Sequence, residues 1–502
     1  MRKLAGPAAL LLSGLLLAGC ASTGSGAGQE PSAATDPTAI VDIQVGLEPT
    51  SLDVRTTSGA GLVQLMRGNV YEGLVGMSED LEITPALASK WEVSEDGLVY
   101  TFTVRDGVSF HDGTPMTVED VVGSLTASSA EGSLNPDAKR MTAVASIEAT
   151  DDSTVVITLS RRDINFLDTL TTAAGFVTPQ TEGLDLATTA NGTGPYTVDQ
   201  WNKGATISLV PAENYWGDKP ANGGVVFHYI TDPTTAATAL RGGEIDMIAG
   251  TTPETAALFA DDEAFTVTEG ASTSWMTLGF NNAFEPLSDE RVRKAIRQAI
   301  NKEELVEVIG GGAITVGSMT VPSDPWYVDT TGSAPYDPEE AKALLKEAGQ
   351  ENLSLTLTVS NTYDTIITEF IAAELAKVGV EVKIDQVEFA TWLDEAFTKK
   401  NYELTMVLHV DPSTLSYYGN PAYYWNYDNA EVQQLVADAN TAASEADRDK
   451  NLSEVAKIVA EDSASDWLYS PQTLIVADSA LGGYPTSRIA NNLALSGITV
   501  AE

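Results

Sequence analysis

An α/β fold in several units is what this sequence predicts, on three observations. The stretch 353–387 reads as strand, helix and strand, with Gly379 before the second strand, and that order is the grammar of a parallel βαβ unit. Between 191 and 248, two strands rich in β-branched residues, 205–210 and 225–230, precede an Ala-rich helix at 234–240 that Arg241-Gly242-Gly243 stops. The length of 502 residues suggests about three folded units at roughly 150 residues each.

Composition excludes several classes of function. Asp and Glu number 71 against 28 Lys and Arg, a net charge of −43, so nothing would neutralise the phosphates of a nucleic acid. Cys20 is the only cysteine, which removes intrachain disulfides and multi-cysteine metal sites. The three histidines, 111, 228 and 409, have no ligand spacing, so neither a metal site nor a cofactor is expected.

The first residues read as an address. Arg2 and Lys3 precede an apolar run, 4–18, that is too short to span a bilayer, which predicts a signal peptide over 1–19. Leu17-Ala18-Gly19-Cys20 resembles the bacterial lipobox, and that resemblance implies a lipid on the Cys20 thiol; the alternative is a plain secretory signal with a chance cysteine. Residues 21–39 contain no Leu, Ile, Val or aromatic residue until Ile40. Such a tether cannot bury a core, and its reach is on the order of 25 Å.

The body follows in order. Residues 40–47 alternate as a strand and 48–53 turn out of it, and the apolar spacing of 62–71 predicts a helix. A hairpin is expected at 87–104 around Asp96-Gly97, and a second at 147–159 around 151–153. His111 beside Asp112 offers an acid–base pair, but Asp112-Gly113 is a turn dipeptide and Thr117 with Asp120 forms a capping box, so His111 is assigned to holding that turn. Ser288, Asn301 and Asp337 are expected to cap successive helices, with Gly310-Gly311-Gly312 ending the second. Further helices fall at 253–259, 431–439 and 452–460; strands fall at 275–280, 404–408 and 467–476.

Five segments carry a family resemblance: YEGLV (71–75), RDGVSFHDGTPMTVEDV (105–121), GTGPY (192–196), NYWGDKP (214–220) and ALRGGEIDMI (239–248). Together they resemble family 5 of the bacterial extracellular solute-binding proteins, receptors of ATP-driven peptide and nickel importers, over roughly 40–500. The resemblance implies a periplasmic-binding-protein-like type II fold, two hinged lobes with an extra α/β domain. By analogy the first lobe takes 40–62, 189–281 and 472–502, the extra domain 63–188, and the second lobe 282–471. It also implies a monomeric receptor, lipid-anchored on the outer face of the cell membrane or periplasmic, that catalyses nothing. Such a receptor clamps an oligopeptide in the interlobe cleft and delivers it to the transmembrane subunits of an ABC permease. Oligosaccharides and nickel chelates are alternative solutes of the same fold. A secreted hydrolase is the competing class, yet the chain has no GxSxG, HExxH, SxxK or phosphate loop.

Residues 409–428 have the most unusual composition, with Tyr417, Tyr418, Tyr423, Tyr424, Trp425 and Tyr427 beside two prolines, directly after an apolar strand. A loop with a carboxylate and aromatic rings at the carboxyl end of such a strand is where a small molecule would be held. The resemblance implies that Asp411 pairs with a peptide α-ammonium, although the earlier aspartate usual in that loop is apolar here. Trp275, Trp392 and Trp425 could stack on a sugar or on peptide side chains, His409 could ligate a metal chelate, and Tyr424 and Asn281 lie beside them in the scheme. Tyr71 reads as a ligand contact or as a buried packing ring. The tyrosine cluster reads equally as a ligand wall or as a packed, hydrogen-bonded loop.

Overall fold

A computed structural model of the chain describes residues 34–78, 81–181, 183–410, 412–487 and 493–502. The signal core, Cys20, the tether as far as residue 33, and Asp411 lie outside the described residues.

Two large sheets organise the chain. The first has seven strands in the order Phe265–Gly270, Thr473–Asp478, Met247–Ile248, Ile40–Val45, Gly224–Tyr229, Thr206–Pro211 and Tyr196–Asn202. Ile40–Val45 runs parallel to both of its neighbours, and Val41, Ile43 and Val45 are buried on one face. The Ala-rich helix is Pro233–Gly242: the Asp232 carboxylate accepts the Thr235 N–H at 2.7 Å at its start, and Gly243 ends it at φ 69°.

The second sheet has six strands, Ala313–Ile314, Ser465–Pro471, Trp275–Phe280, Leu404–His409, Ser354–Ser360 and Glu381–Val387. Ser354–Ser360 and Glu381–Val387 are parallel and are joined by the helix Thr365–Lys377, the expected βαβ unit. Trp275–Phe280 departs from expectation. The sequence assigned it to the first lobe, with a boundary after 281, but it pairs with Leu404–His409 and Ser465–Pro471 inside the second sheet. All six of its residues are buried, so it requires a partner on each edge, and only this sheet supplies both. Sheet membership therefore changes at 271–274. The chain returns to the first sheet through Gln472 alone, between Ser465–Pro471 and Thr473–Asp478. The Ser272 hydroxyl donates to the Pro471 carbonyl at 2.5 Å and ties the two crossings together.

A third unit is a four-stranded antiparallel sheet, Ala88–Val93, Val99–Val104, Thr154–Leu159 and Val144–Asp151, with its own core of Phe102, Phe110, Val121, Leu125, Ile157 and Phe166. The capping box on Thr117 is present and opens Val118–Ser129. Several boundaries differ from expectation: the helix expected at 452–460 is Glu445–Glu461, and the strand expected at 467–476 is two strands, Ser465–Pro471 and Thr473–Asp478, in different sheets. The helix predicted at 62–71 is Ala60–Met66, because Gly68 turns left-handed at φ 70° and the Val70 and Tyr71 N–H groups both return to the Met66 carbonyl. Asp289, and not Ser288, caps Glu290–Ala299; its carboxylate accepts the Arg291 N–H at 2.9 Å and holds the Arg291 guanidinium as well.

The short motifs meet where this third unit joins the first sheet. Glu72 is buried and accepts from Thr193 Oγ1 and Trp216 Nε1 at 2.9 Å each and from the Tyr215 hydroxyl at 3.2 Å. Segments 71–75, 192–196 and 214–220 thus share one acceptor. Gly192 and Gly194 are required by proximity: a Cβ there would stand 1.9 Å from the Val70 carbonyl oxygen and 2.5 Å from that of Asn69. His111 Nδ1 accepts the Gly192 N–H at 3.3 Å and its Nε2–H donates to the Gly194 carbonyl at 2.9 Å. Both ring nitrogens are engaged, burial holds the imidazole below its ordinary pKa, and Asp112 accepts from Asn191 Nδ2 at 2.8 Å. The pair is a clamp between units and has no free nitrogen for acid–base work.

Candidate functional site

Strand direction locates the site. In the second sheet Leu404–His409 runs parallel to Ser354–Ser360, and His409 pairs with Trp275, the first residue of the strand that arrives from 271–274. The carboxyl ends of the parallel strands therefore lie on the edge from which the crossings leave. The first sheet has the same arrangement: Gly270 pairs with Thr473, and Met247–Ile248 runs antiparallel to Thr473–Asp478 with Ile248 the nearer to that crossing. Ile40–Val45 and Gly224–Tyr229 end on the same edge. Two sheet edges built from strand carboxyl ends thus face each other across 271–274 and Gln472, the place where open α/β sheets hold ligands.

Apolar side chains are bare on both walls. After Ile40–Val45, Leu47 is 56% exposed; after Leu404–His409, Val410 is 56% exposed. After Glu381–Val387 the chain forms a short helix, Phe389–Trp392, that passes into a π-helical turn, Leu393–Thr398. Phe389, Leu393 and Phe397, four residues apart, are exposed on it. Phe389 stacks on Trp392 with centroids 5.8 Å apart and Phe397 meets Tyr423 edge-on at 5.7 Å, so one side of each ring rests on the aromatic core while the rest stays exposed. Sequence reasoning singled out Trp392 and missed the others; the spacing 389, 393, 397 was the available signal, but it does not say whether an apolar stripe is covered.

The predicted residues fall behind this surface. Trp275, Trp392, Tyr424 and Trp425 are buried in one aromatic core with Tyr418 and Trp467. Trp425 stacks on Tyr418 with centroids 4.1 Å apart at 12°, and Trp392 Nε1 donates to Thr405 Oγ1 at 2.7 Å. These four rings support the wall and are not its face. His409 is half-buried at the rim, its Nε2 3.0 Å from the Tyr424 hydroxyl. Asn281 is fully used: Nδ2 donates to the carbonyls of Lys400 and Tyr402, and Oδ1 accepts from Asn426 Nδ2 at 2.9 Å. Tyr71 is remote, buried in the first core, its hydroxyl accepting the Asn191 N–H at 3.1 Å and its ring stacked on Phe176. Among the described residues no group of three or more His, Cys, Asp or Glu could hold a metal ion.

Residues 82–434 match the model of the bacterial extracellular solute-binding proteins, family 5. The chain belongs to this family. Glutathione-binding protein GsiB of Salmonella typhimurium is 31% identical over 361 residues, 69% of each chain. Among solved structures, the ABC transporter-associated periplasmic binding protein DppA of Helicobacter pylori, in complex with the peptide STSA, is 25% identical with a TM-score of 0.78 over 93% of this chain and 98% of that one. HbpA2 of Haemophilus parasuis, 22% identical, has the same fold with a TM-score of 0.82 over 92% of this chain and 100% of that one. The family-5 fold is the two-lobe type II architecture.

Proposed function

We propose that the protein is the extracytoplasmic receptor of an ABC importer for oligopeptides, held at the membrane by a lipid on Cys20. In this reading the first lobe comprises 40–62, 189–270 and 473–502, the extra domain 63–188, and the second lobe 275–471. The observation that carries it is the pair of strand-end edges facing across two short crossings, each with a bare apolar side chain, Leu47 on one and Val410 on the other. The lobes bend at 271–274 and Gln472, and a solute that touches both walls shifts the population toward the closed form that the permease recognises. Phe389, Leu393, Phe397 and His409 face the solute, while Trp275, Trp392, Tyr424 and Trp425 keep that surface rigid. Asp411, one residue beyond Val410, pairs with the α-ammonium. The names of the relatives above, a glutathione receptor and a receptor holding a four-residue peptide, support a short peptide as cargo.

Native mass spectrometry of solute released from gently purified protein tests the reading: peptides are expected, and sugars alone would overturn it. Saturation by a bound peptide at about 100 times its Kd is expected to add about 2.7 kcal/mol of stability with no turnover of the peptide. Asp411→Asn removes a charge-assisted bond worth about 1.5–3 kcal/mol, so calorimetric affinity for the peptide is expected to fall by about 10- to 100-fold. Unchanged affinity would remove Asp411 from the site.

A further inference from the structure

The extra domain also touches the second lobe, at a seam that the cleft does not use. After Thr154–Leu159 the chain runs through Arg162 to Asn165 before the helix Phe166–Leu170. There the Ile164 N–H donates to the carbonyl of Asn440 at 3.1 Å, Arg162 Nη2 donates to the carbonyl of Ala443 at 3.2 Å, and Asn165 Nδ2 donates to Asn440 Oδ1 at 3.4 Å. Asn440 is the last residue of the helix Ala430–Asn440, and Ala443 lies just before the Ser444 cap of Glu445–Glu461. One domain therefore supplies donors to the corner between two helices of another: the Ile164 N–H and Asn165 Nδ2 satisfy acceptors at the carboxyl end of Ala430–Asn440, and Arg162 satisfies the Ala443 carbonyl in the turn before Ser444.

Arg162 is held in position for this. It packs on the turn of the Ala88–Val104 hairpin, where Gly97 sits at φ 68° and a Cβ would stand 2.8 Å from Arg162 Nε. On the next helix Asp168 is half-buried, with Arg448 and Glu445 of the second lobe among the charges that act on it across the seam.

We propose that residues Arg162–Asn165 form a latch by which the extra domain grips the 440–443 corner of the second lobe and holds the two lobes closed, with Arg162 as its positioning residue for solute retention. The retention part rests on the receptor reading above; the latch itself does not. The two lobes are joined covalently only at 271–274 and Gln472, so non-covalent contacts between the units set the closed population, and a solute's apparent affinity scales with that population.

Hydrogen exchange of the Ile164 amide in the solute-free full chain reads the latch directly. The amide is expected to be protected in the wild type. Arg162→Glu removes the donor to the Ala443 carbonyl, sets a carboxylate against that oxygen and is expected to raise Ile164 exchange tenfold or more, while the Val155 and Ile157 amides of the neighbouring strand keep their protection, which shows the domain still folded. Arg162→Lys is expected to restore exchange to within about threefold of wild type. An Ile164 amide that exchanges like an exposed loop in the wild type, or that does not respond to Arg162→Glu, overturns the latch. With glutathione as the probe, Arg162→Glu is expected to speed dissociation about tenfold and leave association unchanged. Unchanged dissociation overturns the role in retention, and a wild type that does not bind glutathione or any other short peptide sinks the receptor reading while the exchange result stands.

Discussion

Replacing Asp466 with alanine is expected to lower the stability of the second lobe by about 3–5 kcal/mol, the largest single-residue loss among the polar groups described. Asp466 has no solvent exposure and lies 3.3 Å from Arg297 Nε and 2.5 Å from Lys302 Nζ. Burial pulls the pKa of both cations below their ordinary values against the opposing pull of the carboxylate. Arg297 cannot leave: it also donates to the Ala460 carbonyl at 2.5 Å and the Gly317 carbonyl at 3.0 Å, and lies over the Trp467 ring. Without Asp466 the lobe keeps a buried guanidinium with no counter-charge, whereas Asp466→Asn retains an acceptor and should lose less. Five of the eight tryptophans, 275, 326, 392, 425 and 467, lie between residues 275 and 471. Urea unfolding followed by tryptophan fluorescence therefore reports chiefly on this lobe, and a loss under about 1 kcal/mol for the alanine variant would contradict the pairing energetics.

The cost of Glu72→Gln is expected to depend on pH. Burial raises the Glu72 carboxyl to about 7, although Trp216, Thr193 and Tyr215 all donate to it and Arg105 lies nearby. An unfolded chain would carry this group near 4.5. Between these values the folded state holds the proton more tightly than the unfolded state. Its contribution is therefore full below 4.5, is lost as pH rises toward 7, and is flat above. The difference amounts to about 3 kcal/mol. Glutamine does not titrate, so the destabilisation measured for Glu72→Gln should be larger at pH 4.5 than at pH 8 by about that amount. Glu72→Ala leaves three buried donors without their acceptor and should cost about 2–4 kcal/mol at pH 4.5 and, since alanine does not titrate either, about 3 kcal/mol less at pH 8. Chemical denaturation at several pH values checks both, and an Glu72→Gln penalty that does not change with pH would contradict the raised pKa.

Local chemistry was the legible part of the fold. Gly97, Gly243, the Thr117–Asp120 box and the Asn301 and Asp337 caps each act within a few residues, and each stands where side-chain chemistry alone put it. Trp275–Phe280 was misassigned because an apolar strand reads the same in either sheet; its membership depends on partners more than a hundred residues away. For the candidate site, the sequence offers a region and leaves the facing of its side chains open. Composition drew attention to 409–428, yet whether a ring such as Trp425 faces solvent or Tyr418 is decided by packing. Conversely nothing in the sequence marks Phe389, Leu393 and Phe397 as exposed, and only the fold shows them so. The Arg162 contact has no local signature, since it joins residues 281 apart.

The whole of 275–471 leaves and re-enters through one antiparallel ladder, in which Gly270 stands opposite Thr473. An insert whose two ends emerge side by side behaves as a cassette: it can be exchanged between relatives without rethreading the host, because the splice points are already neighbours. Swapping that segment, with its aromatic floor and apolar rim, is thus a route to new solute preference on an unchanged first sheet.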